Sequence, residues 1–115
     1  MQKVLFMLTL VWVVSTSCEK PETNVDVPAC IERRIHRFQK NDVQNPPARI
    51  WQWKVDGDTY YYIPSGCCDA FNYLYDEHCN VVCAPDGGFS GVGDRNCPQF
   101  SGQVEWVLVW EDPRQ

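Results

Sequence analysis

The chain of 115 residues has no apolar stretch of membrane-spanning length, no CxxC pair, two histidines, and ten Lys and Arg against fifteen Asp and Glu. Each shortage removes a class of function. A bilayer core needs roughly 17 to 25 consecutive apolar residues, whereas the longest run, Val4 to Val14, has eleven and includes Thr9. Without CxxC there is neither a thioredoxin-type redox pair nor the repeated pairs of a structural zinc site. His36 and His78 stand apart, and Ser65, Ser90 and Ser101 have no motif around them. No nucleophile, base and orienting group can be assembled from them, so the chain does not read as an enzyme. The shortage of cations argues against a nucleic-acid partner, whose phosphates need a basic face.

What is present begins with an export signal. Lys3 precedes the apolar run, and Ser15, Thr16 and Ser17 lead directly into Cys18. A cationic start, a short apolar core and small residues form the layout of a secretory signal. The ending resembles the lipobox of bacterial lipoproteins, with Ser15 where those boxes commonly carry Leu. That resemblance implies cleavage before Cys18 and diacylglycerol on its thiol. The expected organisation is a signal at 1–17, a flexible tether at 18–28 and a cysteine-rich domain at 29–115. The tether reading rests on Pro21, Pro28 and the acidic Glu19, Glu22 and Asp26, with no apolar cluster among them.

Setting Cys18 aside leaves Cys30, Cys67, Cys68, Cys79, Cys83 and Cys97, an even number that permits three disulfides. Outside the cytoplasm disulfides are the expected fate of such a set, and no metal ligation is assigned to it. Adjacent Cys67 and Cys68 in an extended segment would point to opposite sides and so suit two different partners. A long link from Cys30 to that pair is allowed but not fixed by the sequence. Cys79 beside His78 could act as a nucleophile only as a free thiol, which the even count argues against.

Local patterns predict a small α+β fold, with an antiparallel sheet of three to four strands and one N-terminal helix. Ile31, Ile35 and Phe38 lie at i, i+4 and i+7 after Pro28, which marks a helix ending near Asn41. Arg33, Arg34, Arg37 and Lys40 make its outer surface basic; a headgroup or acidic-ligand patch would look like this, and so would an ordinary solvated face, which is the expectation here. Asp56-Gly57 between two β-prone runs signals a hairpin. Trp51, Trp53 and Val55 share a face of its first strand, and Val104, Trp106, Leu108 and Trp110 share a face of a C-terminal strand. A short strand at Val81 to Cys83 completes the sheet. Trp51 and Trp53 read as core, while Tyr60, Tyr61 and Tyr62 cannot all face one way, so at least one is expected to meet solvent or a partner.

The segment Asp86 to Asp94, DGGFSGVGD, holds four glycines but neither phosphate-loop pattern. Its aspartates, with nearby Asp76, serve as turn formers, or as oxygen ligands for calcium without EF-hand spacing. The stretch from Trp51 to Phe100, with its tandem cysteines, CAPDGG segment and GVGD...CP ending, resembles an uncharacterised domain of small Bacteroidetes lipoproteins. VCAPDGGFSGVGDRNC also resembles the central segment of Kazal-type protease inhibitors through Val82, Cys83, Asp86, Gly87 and Cys97, without their Tyr-x-Asn.

Together these imply a bacterial cell-envelope protein, an outer-membrane lipoprotein compatible with surface display, held to the membrane by lipid and serving as a non-enzymatic binding or structural module whose expected partner is an envelope protein or glycan. Tyr60, Tyr61, Tyr62, Asp86 and Asp94 are the candidate binding residues, and no cofactor is expected. The alternative is a protease inhibitor or calcium-dependent binder acting through residues 84–96. The anchor is tested directly: globomycin treatment or Cys18→Ala is expected to accumulate uncleaved precursor and to abolish palmitate labelling, and unchanged processing without any label would remove it.

Overall fold

A computed structural model describes Val11 and residues 20–114. The readings that fall on the signal and on Cys18 lie outside the described residues. Helix α1 spans Ala29–Lys40 and is followed by strands β1 (Arg49–Val55), β2 (Asp58–Ile63), β3 (Phe71–Tyr75), β4 (Val81–Gly87) and β5 (Glu105–Glu111). All five strands form one antiparallel sheet in the order β4-β3-β2-β1-β5. The α+β class stands as expected, but the sheet has five strands where three to four were expected. Among the described residues no helix is long and apolar enough to cross a membrane.

The hairpin between β1 and β2 forms where Asp56-Gly57 required it. Asp56 (φ 53°) and Gly57 (φ 79°) both occupy the left-handed region, the conformation that matches a two-residue turn to strand twist. One element, β3, escaped the sequence patterns, and β4 extends past the predicted Val81 to Cys83. β3, FNYLY, is short and apolar on both faces, so it shows no clean alternation. β4 runs through Pro85 to Gly87; proline is tolerated there because β4 is an edge strand, where its missing N–H need not pair.

Both faces of the sheet are covered, by different means. On one face α1 buries Ile31 and Ile35 against Ile50, Tyr61, Ile63, Tyr75 and Val109. On the other, Trp53, Tyr62, Leu74 and Cys83 are buried beneath a layer that includes Cys97, Phe100 and Val104. The buried indole N–H of Trp53 has no hydrogen-bond partner among the described residues. Its ring lies against Tyr62 and Trp106, with centroids at 5.5 and 4.7 Å.

A bulge corrects the predicted face of β5. Ile50 pairs with Trp110 but Trp51 pairs with Leu108, which leaves Val109 as an extra residue. A bulge places two successive side chains on one side. Val109 and Trp110 therefore both join the helix-side core, where Trp110 stacks on Phe38 at 6.0 Å, while Trp106 stays beside Trp51 and Trp53.

The chain on either side of the elements is tied down as well. Asn24 donates its backbone N–H to the Val109 carbonyl and its Nδ2 to the Leu108 carbonyl, both at 2.9 Å, and Val25 and Val27 pack on the core. The segment read as a free tether is thus docked from Asn24 onward. At the other end Asp112 is buried and accepts from the Arg114 guanidinium at 2.8 Å, which holds its carboxyl below the usual carboxylate range. The same guanidinium donates to the Gln39 carbonyl, which the end of α1 leaves open, and to the Phe38 carbonyl, which also accepts the Asn41 N–H.

The cysteines pair as Cys30–Cys79, Cys83–Cys97 and Cys67–Cys68. The last pairing corrects the expectation of two separate partners. That expectation assumed an extended segment, whereas Cys68 has φ 70° and turns the chain so that the neighbouring thiols meet. Cys30 bonds to Cys79 and not to the tandem pair, and this links α1 across 49 residues to the turn between β3 and β4. Closing a loop of that length restricts the unfolded chain by about 4 kcal/mol. Replacing both Cys30 and Cys79 with alanine is therefore expected to cost about 4 kcal/mol in urea unfolding, and a loss below about 1 kcal/mol would show that helix packing alone positions α1.

Candidate functional site

The strongest candidate is the segment that leaves β4. Gly87, Gly88, Gly91 and Gly93 all have left-handed φ, between 74° and 81°. At Gly93 a Cβ would run into the Ala84 carbonyl, so the position excludes any side chain. The backbone bonds itself at each step: Gly88 N–H to the Ala70 carbonyl (3.1 Å), Gly91 to Gly88 (3.1 Å), Gly93 to Gly87 (3.0 Å) and Asp94 to Ala84 (3.0 Å). The Cys83–Cys97 disulfide closes the segment at its base. A braced loop of this kind loses little entropy on meeting a partner.

Its tip carries Phe89, which is 95% exposed, with the exposed Val92 nearby in the chain. Phe89 was absent from the sequence-based candidates because a single aromatic in a polar, glycine-rich run has no periodicity to reveal it. The available signal was chemical, a bulky apolar residue where turn chemistry asks for none.

Asp86 braces this loop from below. The Tyr62 hydroxyl donates to its two carboxylate oxygens at 2.8 and 2.9 Å, and Asn72 Nδ2 donates to Oδ1 at 2.8 Å. Asn72 Oδ1 in turn accepts from the Ser65 N–H (2.8 Å) and hydroxyl (3.0 Å). Burial pushes the Tyr62 phenol far above its ordinary range, and the bond to Asp86 and its charge push it further. Tyr62 is therefore a permanent donor near neutrality and has no capacity to act as a base there.

Asp94 is occupied differently. Its Oδ1 accepts the Asn96 N–H at 2.9 Å, and this bond holds the carboxyl below its usual value. Asp86 and Asp94 are thus committed to separate hydrogen-bond sets. Among the described residues no group of three or more His, Cys, Asp or Glu is placed to hold a metal ion. The calcium reading of this loop accordingly finds no gathered ligand set.

The three tyrosines divide sharply. Tyr61 is 2% exposed in the helix-side core, and its hydroxyl accepts from Gln52 Nε2 at 3.3 Å. Tyr62 is 7% exposed on the opposite face. Neither presents a ring to a partner, which corrects their place in the expected binding surface; α1 covers the face that carries Tyr61 and the layer with Phe100 covers the face that carries Tyr62. Tyr60 is half-buried against Phe100, at 5.7 Å between ring centroids. The aromatic surface that remains open includes Trp106, 49% exposed on edge strand β5.

The other polar candidates are structural. Asp56 accepts from the Ser101 N–H (2.9 Å) and hydroxyl (2.8 Å) and from the Gly102 N–H (2.9 Å), which ties the covering layer to the β1–β2 turn. Asp76 accepts from the His78 and Asn80 N–H groups, both at 2.9 Å, and shapes the turn before β4. His36 lies on α1, and His78 lies in that turn.

The sequence pattern of a domain of unknown function, DUF6970, matches residues 36–112. The match takes in two thirds of the chain, including the whole sheet, and the chain belongs to this family. No curated protein and no solved structure matches it.

The brace makes a specific demand. Tyr62→Phe removes the donor shared by both Asp86 oxygens and is expected to cost about 1–3 kcal/mol of stability in chemical denaturation. Millimolar calcium is expected to leave the melting temperature of the unaltered protein unchanged. A calcium-dependent rise that disappears when Asp86 and Asp94 become Asn would reinstate the metal reading.

Proposed function

We propose that this member of the DUF6970 family is a non-enzymatic, lipid-anchored module of the bacterial envelope that binds a partner protein through the loop carrying Phe89. The observation that carries the reading is the contrast within that loop. Its backbone is fixed by four left-handed glycines, a disulfide and internal hydrogen bonds, yet its largest side chain faces water. Leaving a Phe exposed forgoes roughly 1.5–3 kcal/mol of burial. A rigid aromatic that enters an apolar pocket is the usual anchor of a protein interface, and the polar groups around it then form the rim.

The anchor belongs to the same reading. The short apolar run, the Ser-Thr-Ser approach and Cys18 support lipidation, and setting Cys18 aside leaves the six cysteines that pair among themselves. An outer-membrane address, with the domain held near the bilayer and not in it, follows as part of the proposal.

A second reading is favoured by one feature. A disulfide-closed loop with an exposed Phe also suits insertion into the specificity pocket of a protease that cuts after aromatic residues. The two readings part in one experiment. A photo-crosslinking amino acid at position 89 is expected to give a discrete protein adduct in intact cells, with none from position 101, and Phe89→Ser is expected to abolish capture of the same protein while leaving the melting temperature unchanged. Inhibition of a chymotrypsin-like protease that Phe89→Ser removes would select the inhibitor. Capture that survives Phe89→Ser would remove the loop from the interaction.

A further inference from the structure

We infer that the outer face of α1 is a docking surface for anionic phospholipid headgroups, so that the helix side of the sheet faces the membrane. The geometry of this inference rests on the proposed lipid at Cys18; its chemistry rests on charge placement.

Ile31 and Ile35 fix which way the helix faces, since both are fully buried against the sheet. At 100° per residue, Arg33, Arg37 and Lys40 then lie on the side turned away from it, and all three are exposed. Arg34 lies on a flank, with its guanidinium 4.6 Å from the centre of the Tyr75 ring. The helix carries these four cations against one anion, Glu32. From Cys18 onward the remainder of the chain has five cations and fourteen anions. A cationic face on an otherwise acidic domain is the asymmetry that steers one side toward an anionic surface and turns the others away.

Chain length says which surface that is. Asn24 is fastened to β5 by two hydrogen bonds, and five residues, a span of six Cα–Cα steps, lie between it and Cys18. Such a span reaches at most about 20 Å when fully extended. Lys20 to Thr23 line a shallow depression together with Glu32 of α1, and Glu22 and Asn24 line another together with Gln39. The chain therefore leaves the domain along the flank of α1. A lipid carried at Cys18 would hold this helix close to the headgroup layer, within reach of a field that decays over about 8 to 10 Å. Lipid anchors gain stability when a chain acts together with a basic patch.

Every element and both core clusters lie within residues 20–114, so the chain from Glu19 onward contains the whole described fold and can be tested without lipid. That chain is expected to co-sediment with phosphatidylglycerol-containing vesicles and not with pure phosphatidylcholine vesicles, and added salt should release it. Changing Arg33, Arg37 and Lys40 together to Gln should weaken the partition about fivefold per cation, on the order of 100-fold in all. An unchanged melting temperature will show that the variant is folded. Equal binding to both vesicle types, unaltered binding by the triple variant, or binding to soluble heparin without binding to vesicles would each overturn the inference. Absence of palmitate label on Cys18 would remove the anchor and its geometry while leaving the vesicle result to stand or fall alone.

Discussion

A five-stranded sheet in a chain this short must cover two faces with very little material. Apolar residues on β1 and β2 point both ways: Ile50, Tyr61 and Ile63 to one side, Trp53 and Tyr62 to the other. One twelve-residue helix covers the first side. A layer with almost no regular structure covers the second. Each cover is fastened to the sheet region by one disulfide, Cys30–Cys79 for the helix and Cys83–Cys97 for the irregular layer. Without those links each cover would depend on modest apolar contact against the entropy of a long connection. The Cys67–Cys68 bond closes no comparable loop, since its partners are neighbours in sequence. The two long-range bridges therefore define the architecture, and the polar ties of Asp56 and Asp112 refine it.

How much of this was legible depends on whether a residue's fate is decided locally. α1 and the β1–β2 hairpin were, because an apolar stripe after Pro28 and an Asp-Gly turn specify their own geometry. The even cysteine count points to disulfides, but pairing depends on which strands lie side by side, and β3 has no alternation to reveal it. Without β3 there is no turn to place Cys79 beneath Cys30. The missing strand thus accounts for the strand count, whereas Tyr61 and Tyr62 are misplaced because alternation leaves one face open only when a single face of the sheet is covered, and here both are. Trp110 failed for a different reason. Strict alternation does not hold through a strand with a bulge, where one extra residue reverses every later side chain.

The candidate site was half visible. Asp86 was singled out for its carboxylate, and it does matter, but as the acceptor that holds Tyr62, Asn72 and the root of the loop together. A carboxylate on one element and its donors on two others cannot be joined by spacing within a single segment. Phe89 was hidden by the opposite difficulty. Sequence patterns find apolar residues that recur, and a functional contact needs only one.

The two surfaces gain meaning from their arrangement. α1 covers one face of the sheet, and the layer containing Cys97 and Phe100 covers the other. If the basic helix faces headgroups, the opposite layer is turned toward the space beyond the membrane. An acidic domain tethered at one point would otherwise rotate freely and be repelled by anionic lipid on most of its surface. In the proposed arrangement, cations concentrated on the element nearest the tether would select one orientation from many, and that restriction would add to the effective concentration of an exposed anchor residue for an envelope partner. Rigid bracing of the glycine-rich loop acts in the same direction, because neither the domain's orientation nor the loop's shape then has to be fixed at the moment of binding.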